Sequence, residues 1–125
     1  MTSLAFIGLG TMGYPMAGHL ARKGFKITVF NRTTEKALRW CSEFGGQYAD
    51  SPAQAVQNAD IVLTCVGNDD DLRAVVLGPT GIAPGLKAGA LLIDHSTVSA
   101  EVAREIAEHL ASMNAGLVDA PVSGG

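Results

Sequence analysis

The sequence predicts an α/β fold, a doubly wound parallel sheet with helices on both faces, and three observations indicate it. Short apolar runs alternate with longer amphipathic stretches along all 125 residues. The run IVLTCV at 61–66 is apolar throughout, which is typical of a strand covered by helices on both sides. Glycine and other turn residues follow the apolar runs, so helices can connect parallel strands through right-handed crossovers.

Each element has its own local signal. Apolar or alternating runs predict six strands, at Leu4–Ile7, Lys26–Phe30, Gln47–Ala49, Ile61–Val66, Leu91–Asp94 and Leu117–Ala120. Amphipathic stretches predict five helices, at Pro15–Lys23, Glu35–Phe44, 52 to about 58, Asp69–Val76 and 100 to about 113. Ser51 and Ser99 are the expected N-caps of the third and fifth helices. The segment Gly78–Gly89 is rich in glycine and proline and is predicted to form turns.

Composition limits the classes of function. Apolar residues make up 47% of the chain and charged residues 17%, which favours a folded globular domain over disorder. The net charge of −3 and the lack of a Lys/Arg cluster give no reason to expect nucleic acid as a partner. Cys41 and Cys65 have no metal-ligand spacing, so we expect no metal site and a reducing, cytoplasmic location. The first residues carry no signal-peptide pattern and no apolar run is long enough for a bilayer, so no membrane association is expected.

The strongest motif follows the first predicted strand, where Gly8-Leu9-Gly10-Thr11-Met12-Gly13 reads G-x-G-x-x-G. Gly8 would allow a sharp turn, Gly10 a close approach of a pyrophosphate to the backbone, and Gly13 close packing of the next helix on the strand. The helix N-terminus would then direct its N–H groups at the phosphates. The alternative is an ordinary glycine-rich strand–helix turn. The motif predicts a Rossmann-type dinucleotide-binding domain.

The end of the second strand indicates which dinucleotide is bound. Sites that prefer NAD place Asp or Glu here to bind the ribose hydroxyls, whereas this chain has Asn31-Arg32-Thr33. A guanidinium attracts a 2′-phosphate and can bond it in a fork, while Asn31 and Thr33 can add neutral hydrogen bonds. The interpretation is NADP(H), with NAD still possible. The alternative is that Arg32 is a solvated loop charge and Thr33 or Thr34 caps the next helix.

Two motifs at opposite ends of the chain resemble the β-hydroxyacid dehydrogenase family. FIGLGTMGYPMAGHL at 6–20 is similar to its cofactor motif and DAPVSGG at 119–125 to its substrate motif. The family includes 3-hydroxyisobutyrate dehydrogenase and NADPH-dependent glyoxylate and succinic semialdehyde reductases. The resemblance implies hydride transfer between nicotinamide and a small 3-hydroxyacid or its aldehyde or keto counterpart.

The resemblance also implies roles for single residues. Ser123, Gly124 and Gly125 would hold the substrate carboxylate, and their consecutive N–H groups can form an anion nest. A flexible glycine tail is the alternative. The remaining implied cofactor contacts are Val66, Gly67, Asn68 and Thr97. His95 is not expected to act as an acid or base, because the family does not use this position.

The family's proton donor is a lysine in a later segment on a second, helical domain. Lys23, Lys26, Lys36 and Lys87 do not lie in such a context, so no catalytic residue is expected in this chain. We therefore expect residues 1–125 to be a cofactor domain ending before the helical domain, inactive alone, in an enzyme that forms a homo-oligomer through that domain. Three alternatives are a nucleotide-binding or sensor module without catalysis, an imine reductase domain, and a 6-phosphogluconate dehydrogenase-like domain.

Overall fold

The computed structural model describes residues 2–120, in which one six-stranded parallel sheet is connected by helices. The strands are β1 (Ser3–Ile7), β2 (Lys26–Phe30), β3 (Gln47–Tyr48), β4 (Ile61–Thr64), β5 (Leu91–Asp94) and β6 (Gly116–Asp119). The helices are α1 (Gly13–Arg22), α2 (Thr34–Phe44), α3 (Pro52–Val56), α4 (Asp69–Leu77), α5 (Ile82–Gly85) and α6 (Ala100–Ala111). The strand order is β3-β2-β1-β4-β5-β6, so the direction of winding reverses between β1 and β4.

Two cores, one on each face of the sheet, explain why the central strands read as continuous apolar runs. In β1, Leu4 and Phe6 point to the face covered by α1 and α2, whereas Ala5 and Ile7 point to the face covered by α3 to α6. Successive side chains of a strand alternate between faces, so most positions of a strand covered on both faces are apolar. Trp40 of α2 is fully buried in the first of these cores. The predicted doubly wound α/β fold is confirmed.

The sequence placed each predicted strand and helix within two residues of its observed ends, and the difference at β4 has a local cause. The apolar run at 61–66 continues beyond β4, which ends at Thr64. Cys65 still donates its N–H to the Ile7 carbonyl at 3.0 Å, but the Val66 N–H turns to the hydroxyl of Ser96 at 2.9 Å. Side-chain hydrogen bonding therefore takes over where the sheet ladder stops, and hydropathy alone carries no signal of that change.

One helical turn within Gly78–Gly89, predicted as turns, was missed. α5 is four residues long, too short for a helical period to be visible in the sequence. Its Ile82 and Ala83 are buried in the core shared with α3 and α4. Gly85 lies against Ala53, whose backbone a Cβ at Gly85 would meet. Tertiary packing therefore stabilises this turn, although proline and glycine disfavour helix locally.

The register of the parallel strands brings four strand ends to one edge. Ile7 is the partner of Phe30 on one side and of Thr64 on the other, and Thr64 is the partner of Asp94. The loops after β1, β2, β4 and β5 therefore emerge side by side. Ligands of open α/β sheets bind at this edge, where the strand order reverses.

No helix between residues 2 and 120 is both long and apolar enough to cross a membrane.

Replacing Leu92 with alanine tests the contribution of the core. Leu92 of β5 is fully buried, so truncation should lower the free energy of unfolding by about 2–5 kcal/mol. Val118 of β6 is 44% exposed, and Val118→Ala should cost less than about 1 kcal/mol. Urea unfolding followed by circular dichroism measures both. Equal losses in the two variants would contradict the described core.

Candidate nucleotide-binding site

The turn after β1 is built by two glycines in contact. Gly8 has φ +103°, and a Cβ there would collide with the carbonyl oxygen of Cys65. A Cβ at Gly13 would collide with the carbonyl oxygen of Gly8 and approach the Phe6 ring at 3.2 Å. Helix α1 thus begins directly against the strand it follows. The predicted roles of Gly8 and Gly13 in the turn are confirmed.

Gly10 differs from these two residues because it faces open space. No heavy atom lies within 4 Å of a Cβ built at Gly10, and the residue is exposed. The fold itself therefore does not require glycine here. A methyl group at this position would project from the loop and occupy the space that an approaching ligand would need.

No side chain occupies the backbone donors at the N-terminus of α1, although the Tyr14 N–H donates to the Gly10 carbonyl at 3.0 Å and Pro15 has no N–H. The N-cap residue of α1, Met12, makes no side-chain capping hydrogen bond, and the first turn contains no acidic residue. The side chains of Ser51, Asn68 and Ser99, in contrast, cap α3, α4 and α6. Uncapped N–H groups and the positive end of the helix dipole favour an anion at this point.

Asn31 holds the loops after β1 and β2 together. Its side-chain Oδ1 accepts a hydrogen bond from the Leu9 N–H at 2.9 Å, and its Nδ2 donates to the Thr33 carbonyl at 3.1 Å. Thr33 is the N-cap residue of α2, but its side chain makes no capping hydrogen bond. Asn31 therefore positions the two loops, a role that the sequence did not indicate. The alternative prediction that the Thr33 side chain caps α2 is not supported.

Arg32 is bonded to a carboxylate that sequence reasoning missed. Its Nη2 donates to Oδ1 of Asp71, the third residue of α4, at 2.9 Å. The two positions are 39 residues apart, and only the neighbouring placement of β1, β2 and β4 brings them together. The sequence showed three acidic residues at the start of a helix, which is also the pattern of an ordinary helix N-terminus.

A buried carboxylate fixes the loops after β4 and β5. Oδ1 of Asp94 accepts hydrogen bonds from the Thr64 hydroxyl at 2.8 Å and from the Ser96 N–H at 3.0 Å. The hydroxyl of Ser96 in turn accepts from the Val66 N–H at 2.9 Å. Asp94 and Ser96 are 3% and 2% exposed, so water competes little for these bonds. The two loops are connected through the interior.

His95 lies at the same edge of the sheet, and its ring contacts the residue that follows β6. Its Nδ1 is 2.9 Å from the Ala120 carbonyl oxygen, and its side chain is not among those that line the cavity described next. That His95 does not act as an acid or base stays a prediction.

A cavity of about 760 Å³ lies over the ends of β1, β2 and β4. Ten of the thirteen predicted cofactor residues line it: Gly8, Gly10, Thr11, Met12, Gly13, Asn31, Arg32, Thr33, Val66 and Gly67. The further lining residues are Ile7, Phe30, Pro52, Cys65, Asp71, Ala74, Val75, Thr80 and Gly81. The cavity therefore joins an apolar wall to a small number of polar groups, which is the usual composition of a cofactor site.

Three predicted cofactor residues do not line this cavity. The side chain of Leu9 is buried in the core, and that of Asn68 caps α4 by accepting from the Asp71 N–H at 2.9 Å. Thr97 is exposed in the loop after β5. The predicted substrate-binding residues, Ser123, Gly124 and Gly125, lie outside the described residues. Direct contact of any of these residues with a ligand stays a prediction.

Cys65 is the thiol in the wall of the cavity. Partial burial raises its pKa, and the negative charge of Asp94 adds to the rise. The thiol is therefore protonated at neutral pH and is a poor nucleophile. Residues 2–120 contain no group of three His, Cys, Asp or Glu side chains placed to hold a metal ion.

The fold and the site together define a class of protein. A parallel sheet of this order, a G-x-G-x-x-G turn leading into a helix without a side-chain cap, and a cavity at the switch point describe a Rossmann-type dinucleotide-binding domain. The chain belongs to the family described as the NAD binding domain of 6-phosphogluconate dehydrogenase, whose sequence model matches residues 3–125.

Similar proteins connect this domain to hydroxyacid dehydrogenases. The whole chain is 59% identical to part of an uncharacterized oxidoreductase of Shewanella frigidimarina and 40% identical to part of the 3-hydroxyisobutyrate dehydrogenase of Pseudomonas aeruginosa. It covers 43% and 42% of the length of these two relatives. The structure of Psf3 in complex with NADP⁺ and 2-OPP matches 98% of the chain, and the chain covers 43% of it, at 28% identity with a TM-score of 0.90. The resemblance to the β-hydroxyacid dehydrogenase family is confirmed.

Substituting single glycines separates folding from binding. Gly10→Ala should change the free energy of unfolding by less than about 0.5 kcal/mol, because a Cβ there meets nothing in the chain. It should weaken dinucleotide binding by roughly tenfold or more, as hydrogen bonds to charged groups are lost. Urea unfolding and isothermal titration calorimetry measure the two effects.

Gly8→Ala is the comparison variant. It should lower the free energy of unfolding by about 2 kcal/mol or more, because it combines a positive φ with a backbone collision. Unchanged nucleotide affinity in Gly10→Ala would contradict the described approach of the ligand to this loop.

Proposed function

We propose that the chain binds NADP(H) in preference to NAD(H), as the cofactor domain of an oxidoreductase. The enzyme transfers hydride between nicotinamide and a small 3-hydroxyacid or its aldehyde or keto counterpart. The observation that carries the proposal is a cavity shared by the uncapped N-terminus of α1 and by Arg32. One dinucleotide can reach both, with its pyrophosphate at the helix and its adenosine end at the β2 loop.

The residues after β2 support the choice of NADP(H). Positions 31–33 contain no carboxylate that would bind ribose hydroxyls and repel a 2′-phosphate. The Arg32 side chain is 79% exposed, so its guanidinium can turn toward a phosphate without leaving a packed environment. The hydroxyl of Thr33, which makes no capping bond, can add a hydrogen bond to the same group. The similar Psf3 structure holds NADP⁺.

The residues of this chain bind and orient the cofactor rather than move protons. Among the described residues that line the cavity, Arg32 and Asp71 carry charge, and they are bonded to each other at 2.9 Å. When bound, the nicotinamide ring supplies or accepts the hydride. The hydrogen bonds of Asp94 and Ser96 hold the loops after β4 and β5 in one arrangement, and these loops would orient the nicotinamide part of the cofactor.

The substrate class rests on the other end of the chain. DAPVSGG at 119–125 is similar to the substrate motif of β-hydroxyacid dehydrogenases, and consecutive N–H groups at Ser123, Gly124 and Gly125 suit a carboxylate. Because the chain spans about two fifths of its relatives, we place the proton-donating lysine and the surface of a homo-oligomer in a further domain. A cytoplasmic location fits two cysteines that are free among the described residues.

Arg32→Ala tests the preference for NADP(H). The substitution should weaken NADPH binding by roughly tenfold and NADH binding much less, because only NADPH has the 2′-phosphate. Calorimetry measures the affinities, and energy transfer from Trp40, the one tryptophan of the chain, provides an independent signal. Arg39→Ala is the matched control, because Arg39 is an exposed arginine of α2 that does not line the cavity.

Two results would overturn the assignment. One is equal affinity of the unsubstituted chain for NADPH and NADH. The other is an equal loss of NADPH affinity in the Arg32 and Arg39 variants. That result would mean that Arg32 contributes only to the overall positive charge and makes no specific contact with the 2′-phosphate.

The 125-residue chain alone should not turn over substrate. With NADPH present, glyoxylate or succinic semialdehyde should give no absorbance loss at the nicotinamide band above the rate without protein, because a carbonyl needs a placed proton donor. Calorimetry on the same sample controls for intact cofactor binding. Reduction that scales with the concentration of the chain would contradict this proposal.

A further inference from the structure

Asp71 is a carboxylate that lines the cavity beside Arg32, the residue proposed to bind the negatively charged 2′-phosphate. Its Oδ1 bonds Arg32 Nη2 at 2.9 Å, and its side chain is 32% exposed. Its Oδ2 faces Gly67, since a Cβ built on that glycine would lie 3.3 Å from it. Asp71 thus stands between the loop after β4 and the guanidinium after β2, on the wall of the cavity.

The ordinary tasks of an acidic residue in a first helical turn are performed by its neighbours. Asn68 caps α4, with the backbone N–H of Asp71 as its donor. Asp69 accepts from the Ser99 N–H at 2.8 Å, and Asp70 pairs with Arg73 at 3.4 Å. These carboxylates already complement the helix dipole. The side chain of Asp71 instead bonds Arg32, which lies in the loop after β2.

We propose that Asp71 is a specificity-determining residue that limits the preference of this site for a 2′-phosphate. This inference rests on the proposed NADP(H) function. A 2′-phosphate must draw the guanidinium of Arg32 away from the Asp71 carboxylate, and it must then lie near that carboxylate. Both effects oppose NADPH, whereas NADH, which has no phosphate at this position, experiences neither. Asp71 therefore brings the affinities for the two cofactors closer together.

Asp71→Asn isolates the charge of this side chain. The variant keeps the backbone N–H that Asn68 accepts from and nearly the same side-chain shape. Asp70→Asn is the matched control, because it removes the same charge from the same helical turn at a side chain that is 94% exposed and does not line the cavity. Calorimetry of the full 125-residue chain with NADPH and with NADH gives the ratio of the two dissociation constants for each variant and for Arg32→Ala.

The expected result is a gain in NADPH affinity of roughly three- to tenfold in Asp71→Asn, with NADH affinity changed less than about twofold. The ratio in Asp70→Asn should stay within about twofold of the unsubstituted chain, because its charge is screened by solvent. The gain in Asp71→Asn should also shrink as salt is raised. This pattern supports the proposal.

Two results overturn the inference without touching the proposed function. If Arg32→Ala removes the NADPH preference but Asp71→Asn leaves the ratio unchanged, Asp71 does not take part in selection. If Asp71→Asn weakens NADPH binding, the carboxylate orients Arg32 for the phosphate rather than competing with it. If the unsubstituted chain binds neither nucleotide, or binds NADPH and NADH with equal affinity, the proposed function fails and the inference with it.

Discussion

The contact between Gly13 and the carbonyl of Gly8 is the constraint on which the site depends. Because no side chain separates them, the first residue of α1 packs against the backbone that follows β1. The N-terminus of α1 consequently lies at the edge of the sheet where the strand order reverses between β1 and β4. The hydrogen bonds of Asn31 then hold the neighbouring β2 loop in register with this turn. A methyl group at either glycine would displace the helix and everything aligned with it.

The fold and much of the site could be predicted because their signals are local. Strand and helix periods, the spacing of the three glycines and the N-caps Ser51 and Ser99 all lie within a few neighbouring residues. The pairing of Arg32 with Asp71 could not be predicted, since it arises from strand order and not from sequence spacing. The one-turn helix α5 was hidden for a related reason, because packing against α3 rather than propensity stabilises it.

Polar groups in the interior have a different task from those in the cavity. Asp94, Thr64 and Ser96 are buried, and their hydrogen bonds join the loops after β4 and β5. A buried hydrogen-bond network of this kind restricts the loops to one arrangement. Arg32 and Asp71, in contrast, remain in contact with solvent and can exchange partners at small cost. The buried residues of the site are thus fixed, whereas its two charged residues can rearrange.

Gly10, Arg32 and Asp71 line the cavity but belong to neither core, which has a consequence for how this domain can diverge. None of the three supports the core, whereas Gly8, Gly13 and Asp94 do. Selection removes mutations that destabilise the fold too far, and this selection acts weakly on these three positions. With the roles proposed for Arg32 and Asp71, single substitutions at these positions would change which dinucleotide such a domain prefers without altering its fold.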